Sequence, residues 1–364
     1  MTLALKVRHR FAGFALDVDV VAPPGVTVLF GPSGSGKTTL VNAVAGLLRP
    51  DAGRIAVGDW VLMDSAARRW LPTHRRRLGY IFQEGRLFPH MTVRQNLLFG
   101  RWFAPRGARG ESLGRVVEML GIGHLLGRRP GALSGGEKQR VAIGRALLAG
   151  PKLILADEPL AALDEARKAE ILPYFERLRD EVSVPILYVS HSAAEVARLA
   201  TTVVALREGR VTAVGPPARV LGEAGAGDVV SVLSARVVAH HADGLTEVMT
   251  QGGAVLVPRL AHPPGAELRL CIAAGQVILS RHRPEGLSAP TILAGQILSI
   301  RAERGEAALV TLAVGKERLM ARVTLRAIAA LGLEPGQACH AIITSAAVAS
   351  ENVAATVPGV SGLL

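Results

Sequence analysis

The chain has 364 residues, 49% of them hydrophobic and 20% charged, which excludes a disordered polymer and leaves room for two or three domains with substantial cores. Its 42 Lys and Arg outweigh 30 Asp and Glu, and the net charge of +12 suits anionic ligands, an anionic membrane surface, nucleic acid or no more than a solvated basic face. Two cysteines, Cys271 and Cys339, each in an apolar stretch, exclude a disulfide framework and fit the core of a protein in a reducing compartment. Residues 1–5 lead straight into a strand pattern, so no signal peptide is expected. No apolar run reaches the ~20 residues of a membrane-spanning helix, which predicts a cytosolic chain or one held at a membrane by a partner.

Residues 3–8 and 14–21 predict two strands, the second alternating through Leu16, Val18 and Val20. Phe11, between them, either stacks on an adenine ring or packs in the core. Residues 26–30 form an apolar run that predicts a buried strand. Behind it stands Gly31-Pro32-Ser33-Gly34-Ser35-Gly36-Lys37-Thr38, followed by Thr39 and Leu40, which fits G-x-x-x-x-G-K-[ST]. Leu40, Val41, Val44 and Leu47 then recur at helical spacing. Strand, glycine loop and helix together make a phosphate cradle, with backbone N–H groups turned inward and the positive end of the helix dipole behind them. In such a cradle Lys37 reaches the β- and γ-phosphates and Thr38 ligates Mg²⁺. This is a nucleotide site.

Beyond a turn at 50–53, short strands are expected at 55–57 and 60–63. The run His74-Arg75-Arg76-Arg77 reads as a solvated face, or as a contact for phosphate or an acidic partner, and precedes Leu78-Gly79-Tyr80-Ile81-Phe82-Gln83. From 84 to about 135 the texture changes to helical pieces (93–99, 113–120) joined by Gly- and Arg-rich loops, a separate helical subdomain. Leu133-Ser134-Gly135-Gly136-Glu137-Lys138-Gln139-Arg140 runs into a helix ending near 148. Residues 153–157 are a buried strand that ends in the carboxylates Asp157 and Glu158, and a helix follows over 165–180. His191 sits at the end of another strand, 186–190. Strands alternating with helices imply a mostly parallel sheet with its ligands at the strand C-termini.

Residues 222–230 predict a Gly-rich linker, and the remainder is β in pattern. Two similar series appear, one over 231–290 and one over 291–352, the second with an added helical patch at 325–331. They predict paired lobes of a small barrel.

The phosphate loop, Gln83, the Leu133–Arg140 stretch, Asp157 with Glu158, and His191, in that order, resemble the ATP-binding-cassette ATPases over residues 1–221. The resemblance implies an α/β P-loop NTPase fold with a helical subdomain, followed by an all-β, OB-like, two-lobed C-terminal domain. It implies ATP and Mg²⁺ as cofactors and an ATP cradle of Phe11, Gly31, Pro32, Ser33, Gly34, Ser35, Gly36, Lys37, Thr38 and Thr39. Thr38, Gln83 and Asp157 are then the Mg²⁺ ligands, Glu158 orients the attacking water, and His191 and Gln83 contact the γ-phosphate and its surroundings. Ser134, Gly135 and Gly136 act on the ATP of an opposite subunit, and Asp164 belongs to the loop Ala161-Ala162-Leu163-Asp164 that couples the two sites. Glu137 stands where the family most often has Gln. A single cassette with a two-lobed β domain resembles importer ATPases that work as homodimers with two permease subunits and a separate binding protein. Arg283-Pro284-Glu285-Gly286-Leu287-Ser288-Ala289 and the Phe-rich start (Phe11, Phe14) are similar to the ATPase subunit of molybdate importers. Other importers of the class, for sulfate, sugar, polyamine or iron, are the alternative. A soluble nucleic-acid-associated ATPase is disfavoured, because tandem cassettes, long coiled coils and zinc motifs are missing from the sequence. Ser288 is a candidate oxyanion contact, although Pro290 and Thr291 replace the Arg and Asn usual in such domains.

Overall fold

The computed structural model describes residues 1–102, 110–161, 163–182, 184–223, 229–303, 305–344 and 353–355. Residues 224–228 of the expected linker, residues 103–109, Ala162 and residues 345–352 lie outside these. The chain divides into two bodies, residues 1–192 with 199–216, and residues 193–198 with 217–364. Among the described residues no helix is long and apolar enough to cross a membrane.

The first body is built on one eleven-stranded sheet. In chain order its elements are β1 (Leu3–Phe11), β2 (Phe14–Ala22), β3 (Val26–Phe30), α1 (Lys37–Ala45), β4 (Ala52–Val57), β5 (Trp60–Asp64), β6 (Arg69–Trp70) and β7 (Leu78–Ile81). Then follow α2 (Val93–Trp102), α3 (Leu113–Met119), α4 (Gly135–Leu148), β8 (Leu153–Asp157), α5 (Glu165–Glu181), β9 (Ile186–Ser190) and, beyond α6 (Ala193–Leu199), whose residues 193–198 group with the second body, β10 (Thr202–Arg207) and β11 (Arg210–Gly215). The strand order is β6-β5-β4-β1-β2-β11-β10-β3-β9-β8-β7. β10, β3, β9, β8 and β7 run parallel. Every residue of β3 and β9 is buried, as expected for strands covered on both faces. The rest of the sheet is antiparallel except where β11 meets β2 in parallel, and it alternates, so that Leu16, Val18, Val20 and Ala22 of β2 point inward and their neighbours outward. α1 buries Leu40, Val41, Ala43 and Val44 in the core that holds Leu155, Leu187 and Val189. β3, β8 and β9 are adjacent, and their C-terminal ends therefore deliver the glycine loop, the carboxylates and His191 to one edge of the sheet.

The basic run corrects one expectation. His74 and Arg75 are exposed, but Arg76 is fully buried, and among the described residues it contacts neither a phosphate site nor an acidic group. Its guanidinium donates to the Leu71 carbonyl at 2.7 Å and to the carbonyls of Ala43 and Val44 at 2.7 and 2.8 Å, and Trp70 lies 4.3 Å below its Cζ. Carbonyls at a helix C-terminus lack intrahelical donors, and a buried cation satisfies both their hydrogen bonds and the negative dipole end.

The second body carries α7 (Pro217–Glu223) and ten strands. These are β12 (Val230–His240), β13 (Leu245–Thr250), β14 (Gly253–Pro258), β15 (Glu267–Ala273), β16 (Val277–Ser280), β17 (Thr291–Ala302), β18 (Ala307–Val314), β19 (Glu317–Thr324), β20 (Ala338–Ile343) and β21 (Val353–Ala355), with α8 (Leu325–Leu331) after β19. One sheet is ordered β14-β13-β12-β15-β21 and the other β16-β20-β17-β18-β19. Their apolar faces share one core, with Leu233, Val248, Leu268 and Leu270 from the first and Leu293, Val310, Leu312 and Ile343 from the second. Cys271 and Cys339 are free and buried in this body, and full burial pushes the Cys271 thiol up to about 12.

The two series differ from a simple division at residue 290. β16 crosses over to pair with β20, because Val277 and Leu279 find their apolar partners there, and β21 returns to the edge of the first sheet. The internal repeat itself extends to single hydrogen bonds. β12 bulges between Val237 and Ala239, and β17 bulges between Ile297 and Ser299. Val237 N–H donates to Ala266 at 3.0 Å, and Ile297 N–H donates to Gln337 at 2.9 Å. Across the two sheets, buried Ser231 Oγ accepts from Met320 N–H at 2.8 Å, and buried Thr291 Oγ1 accepts from Leu256 N–H at 3.0 Å.

Candidate nucleotide site

A cleft of about 450 Å³ lies at the C-terminal edge of the parallel strands. Phe11, Phe14, Ser33, Gly34, Gly36, Lys37, Thr38, Thr39 and Glu158 line it. Its floor is the start of α1. Gly36 caps that helix with φ 101°, and a side chain there would press on Leu16 and Phe14 at 2.9 and 3.1 Å. No side chain caps the helix and no acidic residue occupies its first turn, so its N–H groups and positive dipole end are left for an anion. Lys37 is buried and donates to the carbonyls of Gly31 and Pro32 at 2.8 and 2.9 Å. Burial pulls its pKa down, and Glu158 and Asp157 oppose that shift.

Asp157 ends β8 opposite the loop. Burial raises its pKa, the Tyr80 hydroxyl donates to Oδ2 at 3.4 Å, and Oδ1 is buried without a partner among the described residues. A buried carboxylate oxygen with no donor is a favourable seat for a cation. Thr38 is exposed to the same cleft, and this donor set of hydroxyl and carboxylate oxygens fits Mg²⁺. Glu158 adopts φ 45°, a left-handed conformation that costs a non-glycine residue ~1–3 kcal/mol and turns its carboxylate into the cleft. His191 Nδ1 lies 3.5 Å from Glu158 Oε2.

Phe11 and Phe14 face each other across the β1–β2 turn with centroids 6.3 Å apart, and Phe11 is 41% exposed. Phe11 is therefore an exposed ring at the cleft and not a core residue. Phe14 completes the aromatic wall. The signal for it was present, because a two-residue turn at Ala12-Gly13 makes the flanking residues a cross-strand pair. Tyr80 and Arg76 carried no comparable signal.

Other predicted residues stand apart from the cleft lining. Gln83 is exposed two residues beyond β7, whose Ile81 pairs beside Ala156, so it leaves the sheet at the same edge. Ser134 caps α4, accepting from Glu137 N–H at 3.3 Å while its own N–H donates to Glu137 Oε2 at 2.7 Å. This reciprocal capping box gives the Glu in place of Gln a physical role. Gly135 packs near Leu163 and Arg167, and Asp164 caps α5 through Arg167 N–H at 2.9 Å. The Ser134–Gly136 turn and the Asp164 turn thus form a second, separate cluster. Ser288 is exposed between β16 and β17 and makes no hydrogen bond among the described residues.

The fold and the cleft together define the ATP-binding cassette of an ABC transporter. A family model described as ABC transporter matches residues 17–161, and one described as TOBE domain matches residues 287–349. The solved structure of cbiO1 from Clostridium perfringens, part of the ABC transporter complex cbiONQ, aligns with TM-score 0.52 at 27% identity, covering 61% of this chain and 90% of that one. The chain belongs to the family of molybdenum import ATP-binding proteins. It is 52% identical to the "Molybdenum import ATP-binding protein ModC" of Rhizobium meliloti, over 96% of this chain and 99% of that protein. It is 49% identical to the protein of the same name from Mesorhizobium japonicum, over 98% and 99% of the two chains.

Proposed function

We propose that this chain is the ATP-hydrolysing subunit of a binding-protein-dependent importer that energises uptake of molybdate, with tungstate as an alternative cargo of like size and charge. The observation that carries the ATPase reading is the juxtaposition of Lys37 and the open N-terminus of α1 with Glu158 in one cleft, and with Asp157 beside it close enough to act on the Lys37 charge. The names of the relatives carry the choice of cargo and disfavour sulfate, sugar, polyamine or iron.

ATP enters with its adenine against Phe11 and its phosphates at the glycine loop. Lys37 exchanges its bonds to Gly31 and Pro32 for oxygens of the β- and γ-phosphates, recovering charge that burial now penalises. Thr38, Asp157 and Gln83 hold Mg²⁺, which when bound neutralises charge on the phosphates. Glu158 orients a water for in-line attack, and His191 contacts the γ-phosphate from the adjoining strand end. Ser134, Gly135 and Gly136 reach the ATP of a second copy in a homodimer, which accounts for their standing outside the cleft of their own chain. Residues 83–91, which lead from the site to α2, form the face that meets two permease subunits at the cytoplasmic side of the membrane. Nucleic acid has no part in this scheme.

The test is ATPase activity of the chain with its permease in vesicles, titrated with binding protein. Stimulation by the molybdate-loaded but not the sulfate-loaded form is expected. Stimulation only by sulfate or an organic solute would leave an importer ATPase and remove molybdate. Inhibition by free molybdate would add an oxyanion site in the second body, with Ser288 the first residue to change.

A further inference from the structure

The phosphate-binding helix has two ends, and its chemistry at the cleft depends on what holds the other one. α1 is only nine residues long, so a tilt at its C-terminus is transmitted to Lys37 and Thr38 with little loss. That terminus is gripped by Arg76. The guanidinium reaches the Ala43 and Val44 carbonyls through Nη1 and the Leu71 carbonyl through Nε, and the Trp70 ring lies below its plane. Gly46 makes room for it, since a side chain at that position would meet Nε at 2.6 Å and Cζ at 2.8 Å. Thr73, three residues earlier, adds a bond from Oγ1 to the Gly46 carbonyl at 3.0 Å.

A wholly buried guanidinium without a carboxylate is costly. Burial brings its pKa down to about 10, and among the described residues no charged neighbour compensates and Nη2 has no partner. An apolar side chain would fill the space at lower cost, so the charge itself needs a purpose. The helix dipole supplies the counter-charge, and the chain after Arg76 supplies the second connection. β7 begins at Leu78, places the Tyr80 hydroxyl on Asp157 Oδ2, and ends two residues before Gln83. One residue therefore joins the rear of the helix that presents Lys37 and Thr38 to the root of the strand that orients Asp157 and launches Gln83.

We propose that Arg76 is a positioning residue for ATP hydrolysis, setting α1 against β7 so that Lys37 and Thr38 stand in register with Asp157 and Gln83 across the cleft. The inference rests on the ATPase reading of that cleft. It predicts an effect on turnover more than on nucleotide capture, because residues 33–36 of the glycine loop precede α1 and still offer their N–H groups to phosphate when the helix tilts, whereas attack at the γ-phosphate needs Lys37 and Thr38 in register with Asp157 and Gln83.

The experiment compares the full chain with Arg76→Met and Arg76→Lys, reading kcat, KM for ATP in the presence of Mg²⁺, ATP affinity and Tm. At a temperature where all three are folded, Met is expected to lower kcat at least tenfold and to weaken ATP binding less than threefold. Lys restores a cation at the helix end and is expected to keep at least a third of the native kcat. If Met does not fold, Gln takes its place under the same criterion. A folded Met or Gln variant with kcat within twofold of native would overturn the proposal. So would a kcat loss that parallels the fall in Tm and is equal for Lys and Met, which would leave Arg76 a purely structural residue. A native chain that neither bound nor hydrolysed ATP would instead remove the reading on which the proposal rests.

Discussion

Asn96 offers the sharpest quantitative test of how the proposed permease-facing segment is held. It is fully buried in α2, and its side chain is bonded on every side. Oδ1 accepts from Phe88 N–H at 2.8 Å, and Nδ2 donates to the carbonyls of Phe88, Met91 and Thr92 at 3.1, 3.2 and 3.1 Å. Asn96→Ala removes these bonds and strands one N–H and several carbonyls. With ~0.5–1.5 kcal/mol net per bond and some of the freed groups reaching water, the loss is about 3 kcal/mol. For a domain of this size that corresponds to a fall in Tm of about 6–12 °C. Asn96→Asp is nearly isosteric and keeps the acceptor, but it points an oxygen at three carbonyls, so it should be at least as damaging as Ala at neutral pH. The assay is urea unfolding followed by tryptophan fluorescence, with hydrogen exchange read at the amides of Phe88, His90, Met91 and Thr92. Basal ATPase should stay within twofold, while stimulation by the permease falls. A stability loss under about 2 kcal/mol, the least that four bonds at ~0.5 kcal/mol each allow, with unchanged exchange over this segment would refute the reasoning.

Glu158→Gln should abolish turnover and leave ATP binding intact, as measured by phosphate release and equilibrium binding; undiminished hydrolysis would deny Glu158 its role. Lys37→Ala should weaken ATP binding by an order of magnitude or more, read by calorimetry, and unchanged affinity would contradict the phosphate cradle. Ser231→Ala and Thr291→Val each leave one inward N–H, on Met320 and Leu256, without its acceptor, and each should cost ~1–3 kcal/mol in chemical denaturation. The two losses should be nearly equal, and a large disparity would show that the paired hydrogen bonds are not equivalent in energy.

The parts of the fold that were legible in the sequence are those whose information is local. The run over 26–30, the glycine loop and the spacing of Leu40, Val41 and Val44 all state their structure within a dozen residues, and α8 lies over the residues expected. Arg76 was not legible because nothing nearby marks it as different from Arg75; its burial depends on carbonyls more than thirty positions away. The same holds for Tyr80, whose partner Asp157 is 77 residues distant. β10 and β11 went unassigned although Val203, Val204 and Leu206 are buried, since a run so short reads equally as strand or helix until the neighbouring β3 is known. At the site, the residues in the phosphate loop announced themselves. The left-handed turn of Glu158 did not, because no side-chain pattern encodes strain imposed by surrounding structure.

The exchange of strands between the two β sheets also has a consequence for the order in which the chain can fold as it is made. The first sheet is assembled from residues 230–273, yet its outer strand is Val353–Ala355, which pairs with Leu268–Leu270 across some eighty intervening positions. β16 is made with the first group but must wait for β20 before it has a neighbour. A ribosome therefore releases a first lobe with an open edge on β15, and a strand, β16, without a sheet. Both remain exposed until the second lobe has emerged and closed its own pairings. Such long-range closures are slow compared with hairpins, and open strand edges are templates for mispairing. Truncations that spare every residue of the first lobe should thus still leave it sticky, and the yield of soluble protein should depend more on residues near 353 than their distance from the nucleotide cleft would suggest.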